Sequence, residues 1–181
     1  MSKEPLSWQR SWWRLGLVAL ALLIVGSLVF GLSRGRRALK RNACERTLRC
    51  LWCAMYSYTS DFGGRYPPHL GALVEAGYMG TTRPLTCCAV HHSKEDFYRK
   101  GNIPEGDDWS DYAYVNWSNC FDKPGKVPPD YPLMYDRALS NHDGRGINVL
   151  RVDGTTLWDP GGTWLRDFAA RHPEYDVPVP E

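Results

Sequence analysis

The chain has 181 residues, a formal charge of +2, 43% apolar residues and six cysteines, which suits one ordinary domain plus an appendage and excludes a large multidomain enzyme. The small net charge averages two unlike parts: residues 1–49 hold ten Lys/Arg against two Asp/Glu, and residues 50–181 hold twelve against eighteen. The acidic body excludes nucleic-acid binding by bulk electrostatics, and scattered Gly and Pro without a long repeat exclude collagen-like, disordered and low-complexity classes.

Between Arg14 and Arg34 lie 19 consecutive uncharged residues, Leu15 to Ser33. As a helix rising about 1.5 Å per residue they would span about 28 Å, close to a bilayer core. Trp8, Trp12 and Trp13 stand just before the run, where indole rings favour the membrane interface. The pattern predicts an N-terminal segment over 1–14 and one transmembrane helix over 15–33. A cleaved signal peptide would have a shorter apolar run ending in small residues, and Gly31-Leu32-Ser33 followed by Arg34 fits that poorly.

Two clues to the side of the body conflict. Lys3, Arg10 and Arg14 precede the span, whereas Arg34, Arg36, Arg37, Lys40 and Arg41 follow it, and this bias alone places the body in the cytoplasm. The grouped cysteines suit an oxidising compartment or a metal site.

Helix propensity continues from Ala38 to about Ser60, with Cys44, Leu48, Leu51, Trp52, Met55, Tyr58 and Thr59 on one face at about 100° per residue. Asp61-Phe62-Gly63-Gly64 ends the helix and Tyr66-Pro67-Pro68 forces an extended segment. A short helix is expected from about Leu70 to Ala76, then a polar loop over 89–110. Strands follow at Tyr112–Trp117, Pro132–Asp136 and Asn148–Val152, the last joined through a two-residue Asp153-Gly154 turn to Thr155–Trp158. Thr163–Arg171 reads as a helix with Trp164, Leu165, Phe168 and Ala169 on one side, and the tail over 173–181 as loose. The fold class is α+β: a long helix first, antiparallel strands later.

The order of these features carries a resemblance. A membrane helix and a basic stretch precede Cys44-x-x-x-Leu48-x-x-Leu51-x-x-Ala54-Met55, Tyr58-x-x-Asp61 and Gly64-Arg65-Tyr66-Pro67-Pro68. Then come Pro84-Leu85-Thr86-Cys87, Pro132-Leu133-Met134-Tyr135-Asp136, Asn141-His142 and Asn148-Val149-Leu150-Arg151-Val152-Asp153-Gly154. Over residues 15–160 this resembles the pseudopilin-like proteins of type II secretion and type IV pilus systems, in the branch with a His followed by a DG hairpin that is abundant in planctomycetes. The resemblance implies a pilin-like fold over 34–172, with one long helix half in the membrane and half on a small antiparallel sheet. It also implies a bacterial inner-membrane location with a cytoplasmic N-terminus and a periplasmic body. The expected partners are the membrane and other pseudopilin or secretion-system subunits, without nucleic acid, small-molecule substrate or catalysis. Cys44, Cys87 and Cys88 resemble family cysteine positions, so the resemblance further implies a disulfide from Cys44 to Cys87 or Cys88.

The chain departs from the family at two places. Pilins are cut after a Gly that precedes Phe or Met, and carry a Glu at the fifth mature position. Here the nearest equivalent is Gly16-Leu17, with Ala21 where the Glu would stand. A carboxylate in lipid is costly and kept only for a purpose, so its absence argues against polymerisation as a major subunit. Ten residues separate His142 from Asp153, where nine are usual, the extra one falling in the Gly144–Gly146 loop.

Cys50-Leu51-Trp52-Cys53 has redox spacing but falls mid-helix, away from the strand–helix junction that lowers a thiol pKa. A membrane-tethered thiol-redox or metal protein using Cys50, Cys53, Cys87 and Cys88 is the alternative function, although adjacent cysteines lack the usual two-ligand spacing. Asp107, Asp108 and Asp111 offer oxygen ligands for calcium, without a recognised loop spacing. His91-His92 with Glu95 and Asp96 reads as a solvated loop, and His142 with Asp153 as local hydrogen bonding in the hairpin motif. Asn116-Trp117-Ser118 fits a glycosylation sequon, which carries little weight in a bacterial-looking chain. No resident cofactor is expected, and no phosphate loop, nucleophile elbow or zinc-protease helix occurs.

Overall fold

The computed structural model describes residues 6–90, 98–121 and 126–180. One helix, α1, runs from Leu6 to Asp61 over 56 residues, uninterrupted because no proline falls within it. The chain divides into two units near Leu39. In the first unit, Leu17, Leu22, Leu23, Ile24, Leu28, Phe30 and Leu32 are all more than half exposed. The hydroxyls of Ser27 and Ser33 donate back to Leu23 O and Phe30 O, which keeps polar groups paired inside an apolar helix. The helix is long and apolar enough to cross a membrane.

In the second unit α1 changes character. Cys44, Leu48, Leu51, Met55 and Tyr58 are buried at the four- and three-residue steps that keep one helix face in register. Each fully buried Leu or Met here contributes about 1.5–3 kcal/mol. The helix stops where Gly64 N–H donates to Thr59 O at 2.6 Å, with Gly63 and Gly64 at φ 63° and 87°, a left-handed exit that favours glycine.

Helix α2 is a single turn, Ala72–Glu75. Four strands form an antiparallel meander in the order β1 (Tyr112–Tyr114), β2 (Pro132–Asp136), β3 (Gly146–Arg151) and β4 (Thr156–Pro160). Tyr112 faces Asp136, Met134 faces Leu150, and Asn148 faces Trp158 across the ladders. Alternation along β2 and β3 sends Met134, Asp136, Asn148 and Leu150 to the α1 face. Leu133, Tyr135, Ile147 and Val149 go to the other, where α3 (Thr163–Arg171) buries Leu165 and Phe168. Helix α3 is fastened to β4 by the buried Asp159, whose two oxygens accept from Trp164 N and Leu165 N, each at 3.0 Å.

Several boundaries differ from the sequence expectation for physical reasons. Strand β1 ends at Tyr114 and Trp117–Asn119 turns as 3-10 helix, because Asn116 accepts from Ser118 N in a side-chain cap. The hairpin after β3 has a three-residue loop, Val152-Asp153-Gly154, instead of the expected two. Arg151 N still pairs with Thr155 O, whereas Val152 leaves the ladder, its N–H donating to Tyr131 O and its carbonyl accepting from Trp52 Nε1. The segment after Pro173, expected to be loose, makes a 3-10 turn at Pro173–Tyr175 and buries Val177, and Tyr135 Oη donates to Pro178 O. The extra residue between His142 and Asp153 is absorbed ahead of β3, where Asp143 and Gly144 both adopt left-handed backbone.

Candidate functional site

Three separate segments bring sulfur and nitrogen together against the α1 face of the sheet. Cys44 comes from the buried stripe of α1. Cys87 and Cys88 follow the 3-10 turn Arg83–Leu85, positioned when Cys87 N–H donates to Asp111 Oδ2 at 2.7 Å and Ser110 Oγ to Leu85 O at 2.8 Å. His142 ends the 3-10 turn Leu139–His142 just before β3.

Cys44 Sγ lies 3.1 Å from Cys87 Sγ and 3.0 Å from Cys88 Sγ. Cys87 Sγ lies 3.9 Å from His142 Nε2. The ligand atoms of Cys44, Cys87 and His142, all three buried, fall within 4.8 Å of one another, the one such grouping of His, Cys, Asp or Glu among the described residues. Cys88 stands on the exposed side, its Sγ 3.4 Å from Lys40 O. All six cysteines are free, so the residues of the implied Cys44 disulfide meet here, with two partners equally near.

A polar layer lies beneath the sulfurs. His142 Nε2 is 3.1 Å from Asp136 Oδ2, and that oxygen also accepts from Asn148 N at 2.6 Å and Asn148 Nδ2 at 3.0 Å. Trp158 meets the His142 ring edge-on at 5.5 Å and carries the Arg41 guanidinium 5.2 Å over its own ring. Asp136 Oδ1 and Tyr112 Oη are buried without a hydrogen-bond partner.

The electrostatics follow from these contacts. The Cys87 and Cys88 thiols both hydrogen-bond to Cys44 and favour its thiolate, holding its pKa well below the usual thiol range against the effect of burial. The same contacts, with burial, push Cys87 and Cys88 up. Burial also raises the Asp136 carboxyl. For His142, burial disfavours the cation, but the Asp136 and Cys44 hydrogen bonds outweigh it and raise the imidazole to about 9.

The other sequence candidates are dispersed. Cys50 and Cys53 are exposed on α1 and do not join Cys87 and Cys88 in a ligand group. Asp107 Oδ1 accepts from Leu70 N, Asp108 pairs with Arg137 at 3.2 Å, and Asp111 accepts from Cys87 N, so each of the three serves a different structural contact. Asp153 accepts from Thr155 N and Oγ1, while His142 lies at the other end of β3. His91, His92, Glu95 and Asp96 fall outside the described residues. Gly16, Leu17 and Ala21 lie within the helical stretch of α1, where Gly16 has open space around it. Sequence reasoning missed Asp136 and Asn148 as members of the site. The signal was present in the two-residue period that puts both on the helix-facing side of β2 and β3.

No family model, curated protein or solved structure matches the chain.

Proposed function

We propose that the protein is a membrane-anchored, pseudopilin-like structural or interaction protein, an accessory subunit of a type II secretion or type IV pilus-like assembly, working by association and not by catalysis. In this reading it sits in a bacterial inner membrane by a single span, with its N-terminus in the cytoplasm and its body outside. The observation that supports it is the double use of α1. One uninterrupted helix carries an exposed apolar stretch over Leu17–Leu32 and then a buried stripe from Cys44 to Tyr58 on an antiparallel sheet. Apolar side chains exposed along about four consecutive turns have no stable place in water, while the second half of the same helix is committed to a folded body. The missing carboxylate at Ala21 agrees with an accessory position over a repeating one.

Protease accessibility on spheroplasts expressing the full chain, with mass measurement of its N-terminus, tests the reading. Added protease should remove the body without cell lysis. A body digested only after lysis would place it in the cytoplasm and overturn the proposal. Loss of residues 1–16 would mark a processed pseudopilin, and an intact N-terminus a permanent anchor.

A further inference from the structure

We infer that Cys44, Cys87 and His142 hold a single soft divalent cation of the zinc class, with Cys88 supplying the fourth ligand from the exposed side. The inference goes beyond the assembly reading and stands without it, since it concerns only the chemistry of the body.

Three sulfurs and one imidazole nitrogen form a donor set that soft and borderline cations prefer and that calcium or magnesium do not. A tetrahedral zinc with Zn–S near 2.3 Å and Zn–N near 2.0 Å sets neighbouring donors about 3.5–3.8 Å apart. The observed separations of 3.0, 3.1 and 3.9 Å approach that arrangement for Cys44, Cys87 and His142, while Cys88, near Cys44 but outside the group whose ligand atoms lie within 4.8 Å of one another, swings inward by a larger side-chain rotation to complete it. A disulfide uses two sulfurs and leaves the third with no partner of equal strength, whereas a cation uses all three.

One further observation points to an occupant. Asp136 Oδ1 and Tyr112 Oη, opposite each other across β1 and β2, are buried and unpartnered beside the cluster, and Asp136 Oδ2 lies 3.1 Å from the His142 nitrogen that faces the sulfurs. To ligate the cation, His142 Nε2 exchanges its contact with Asp136 Oδ2 for the metal, and the carboxylate stays held by Asn148 N and Nδ2 as negative charge close to the cation. On binding, the protons held by the coordinating sulfurs and by His142 Nε2 all pass to water. A dication with three thiolates and neutral imidazole therefore carries one net negative charge, with Arg41 held nearby over Trp158. Such a centre would clamp α1, the 87–88 segment and the turn before β3, three points far apart in sequence.

The test uses the full chain, purified in detergent under reducing conditions and titrated with Co2+ as a spectroscopic probe. The expected result is one Co2+ per chain, with strong thiolate-to-metal charge-transfer absorption and the d–d bands of a tetrahedral site, displaced by Zn2+. Cys44→Ser should abolish the signal. Because that change removes a fully buried thiol and costs stability, exposed Cys88→Ser is the more informative variant, and it should keep the metal with a weaker charge-transfer band. The double variant Cys50→Ser/Cys53→Ser should match the parent. No stoichiometric cobalt, a signal that survives Cys44→Ser, or one lost with Cys50 and Cys53 would overturn the inference. So would a Cys44 disulfide to Cys87 or Cys88 in protein isolated without reductant, coupled with failure of the reduced protein to take up cobalt.

Discussion

The indole of Trp52 lies flat against Gly154, so close that a Cβ at that glycine would stand 2.7 Å from ring atom Cε2. Its Nε1–H donates to Val152 O at 3.0 Å in the same turn. One side chain of α1 thus reads both the shape and the polarity of the β3–β4 hairpin, 102 residues away in sequence. Gly154 also has φ +83°, a left-handed conformation that disfavours any side chain. Gly154→Ala therefore meets two penalties, backbone strain of about 1 kcal/mol and a ring displacement of similar size. The apparent Tm of the full chain in detergent should fall. Trp52→Ala should remove most of the steric part, so that the double variant is less destabilised than the two single effects added together.

Asp159 is the corresponding anchor on the other face of the sheet. Its carboxylate accepts from two amides in the first turn of α3, where helix N–H groups lack partners within the helix and the dipole favours an anion. Asp159→Ala leaves both amides buried and unpaired, a cost of about 2 kcal/mol or more. Asp159→Asn, keeping one acceptor, should lose less than half as much. Thermal unfolding of the full chain distinguishes the two, and equal losses would mean that packing and not capping sets the cost.

How far the fold was legible follows from which forces act locally. The α1 stripe from Cys44 to Tyr58, β2 and the closing helix Thr163–Arg171 were readable because apolar periodicity and missing breakers are properties of short windows. The hairpin was readable at Asp153-Gly154, but its loop length was not, since the deciding contact is Trp52 on the Val152 carbonyl, which no local window contains. The C-terminal segment read as loose for the same reason: Tyr135 and Trp117 that hold it are distant, with Tyr175 meeting the Trp117 ring at 5.1 Å. At the cluster, Cys44, Cys87, Cys88 and His142 stood out as residue types. The choice of Cys50 and Cys53 as their companions rested on spacing along the chain. A helix turns those two to the solvent side while Asp136 and Asn148, ordinary members of strands, arrive through the pleat.

Asp107 supplies a pH prediction. Burial raises its carboxyl above the ordinary 3.8, an effect only partly offset by Leu70 N–H, His69 and Arg137. A carboxyl whose folded-state pKa exceeds its unfolded value holds its proton more tightly in the native protein. Its favourable contribution is complete below the unfolded pKa and is lost as pH rises through the folded one. Asp107→Asn keeps an oxygen to accept from Leu70 N and cannot ionise. The variant should therefore gain in Tm relative to the parent as pH climbs from below 3.8 to neutrality. A variant that loses ground over that range would show that the Arg137 attraction outweighs the burial of charge.

The exposed half of α1 makes the membrane anchor testable by charge. Leu23 and Ile24 lie at the middle of the uncharged run between Arg14 and Arg34, where a charged side chain is furthest from either headgroup region and has the longest way to reach water. By insertion scales each arginine there costs about 2.5–3.5 kcal/mol, so Leu23→Arg/Ile24→Arg adds about 5–7 kcal/mol against spanning. That sum is enough to turn an inserted helix into a mostly uninserted one. The body depends on α1 from Cys44 onward and not on residues 23 and 24, and its buried core should be unaffected. Fractionation with an alkaline carbonate wash should find the parent in the membrane pellet and the double variant released or degraded. The control Leu23→Phe/Ile24→Phe should pellet with the parent, and release of that control would assign the retention to something other than a spanning helix.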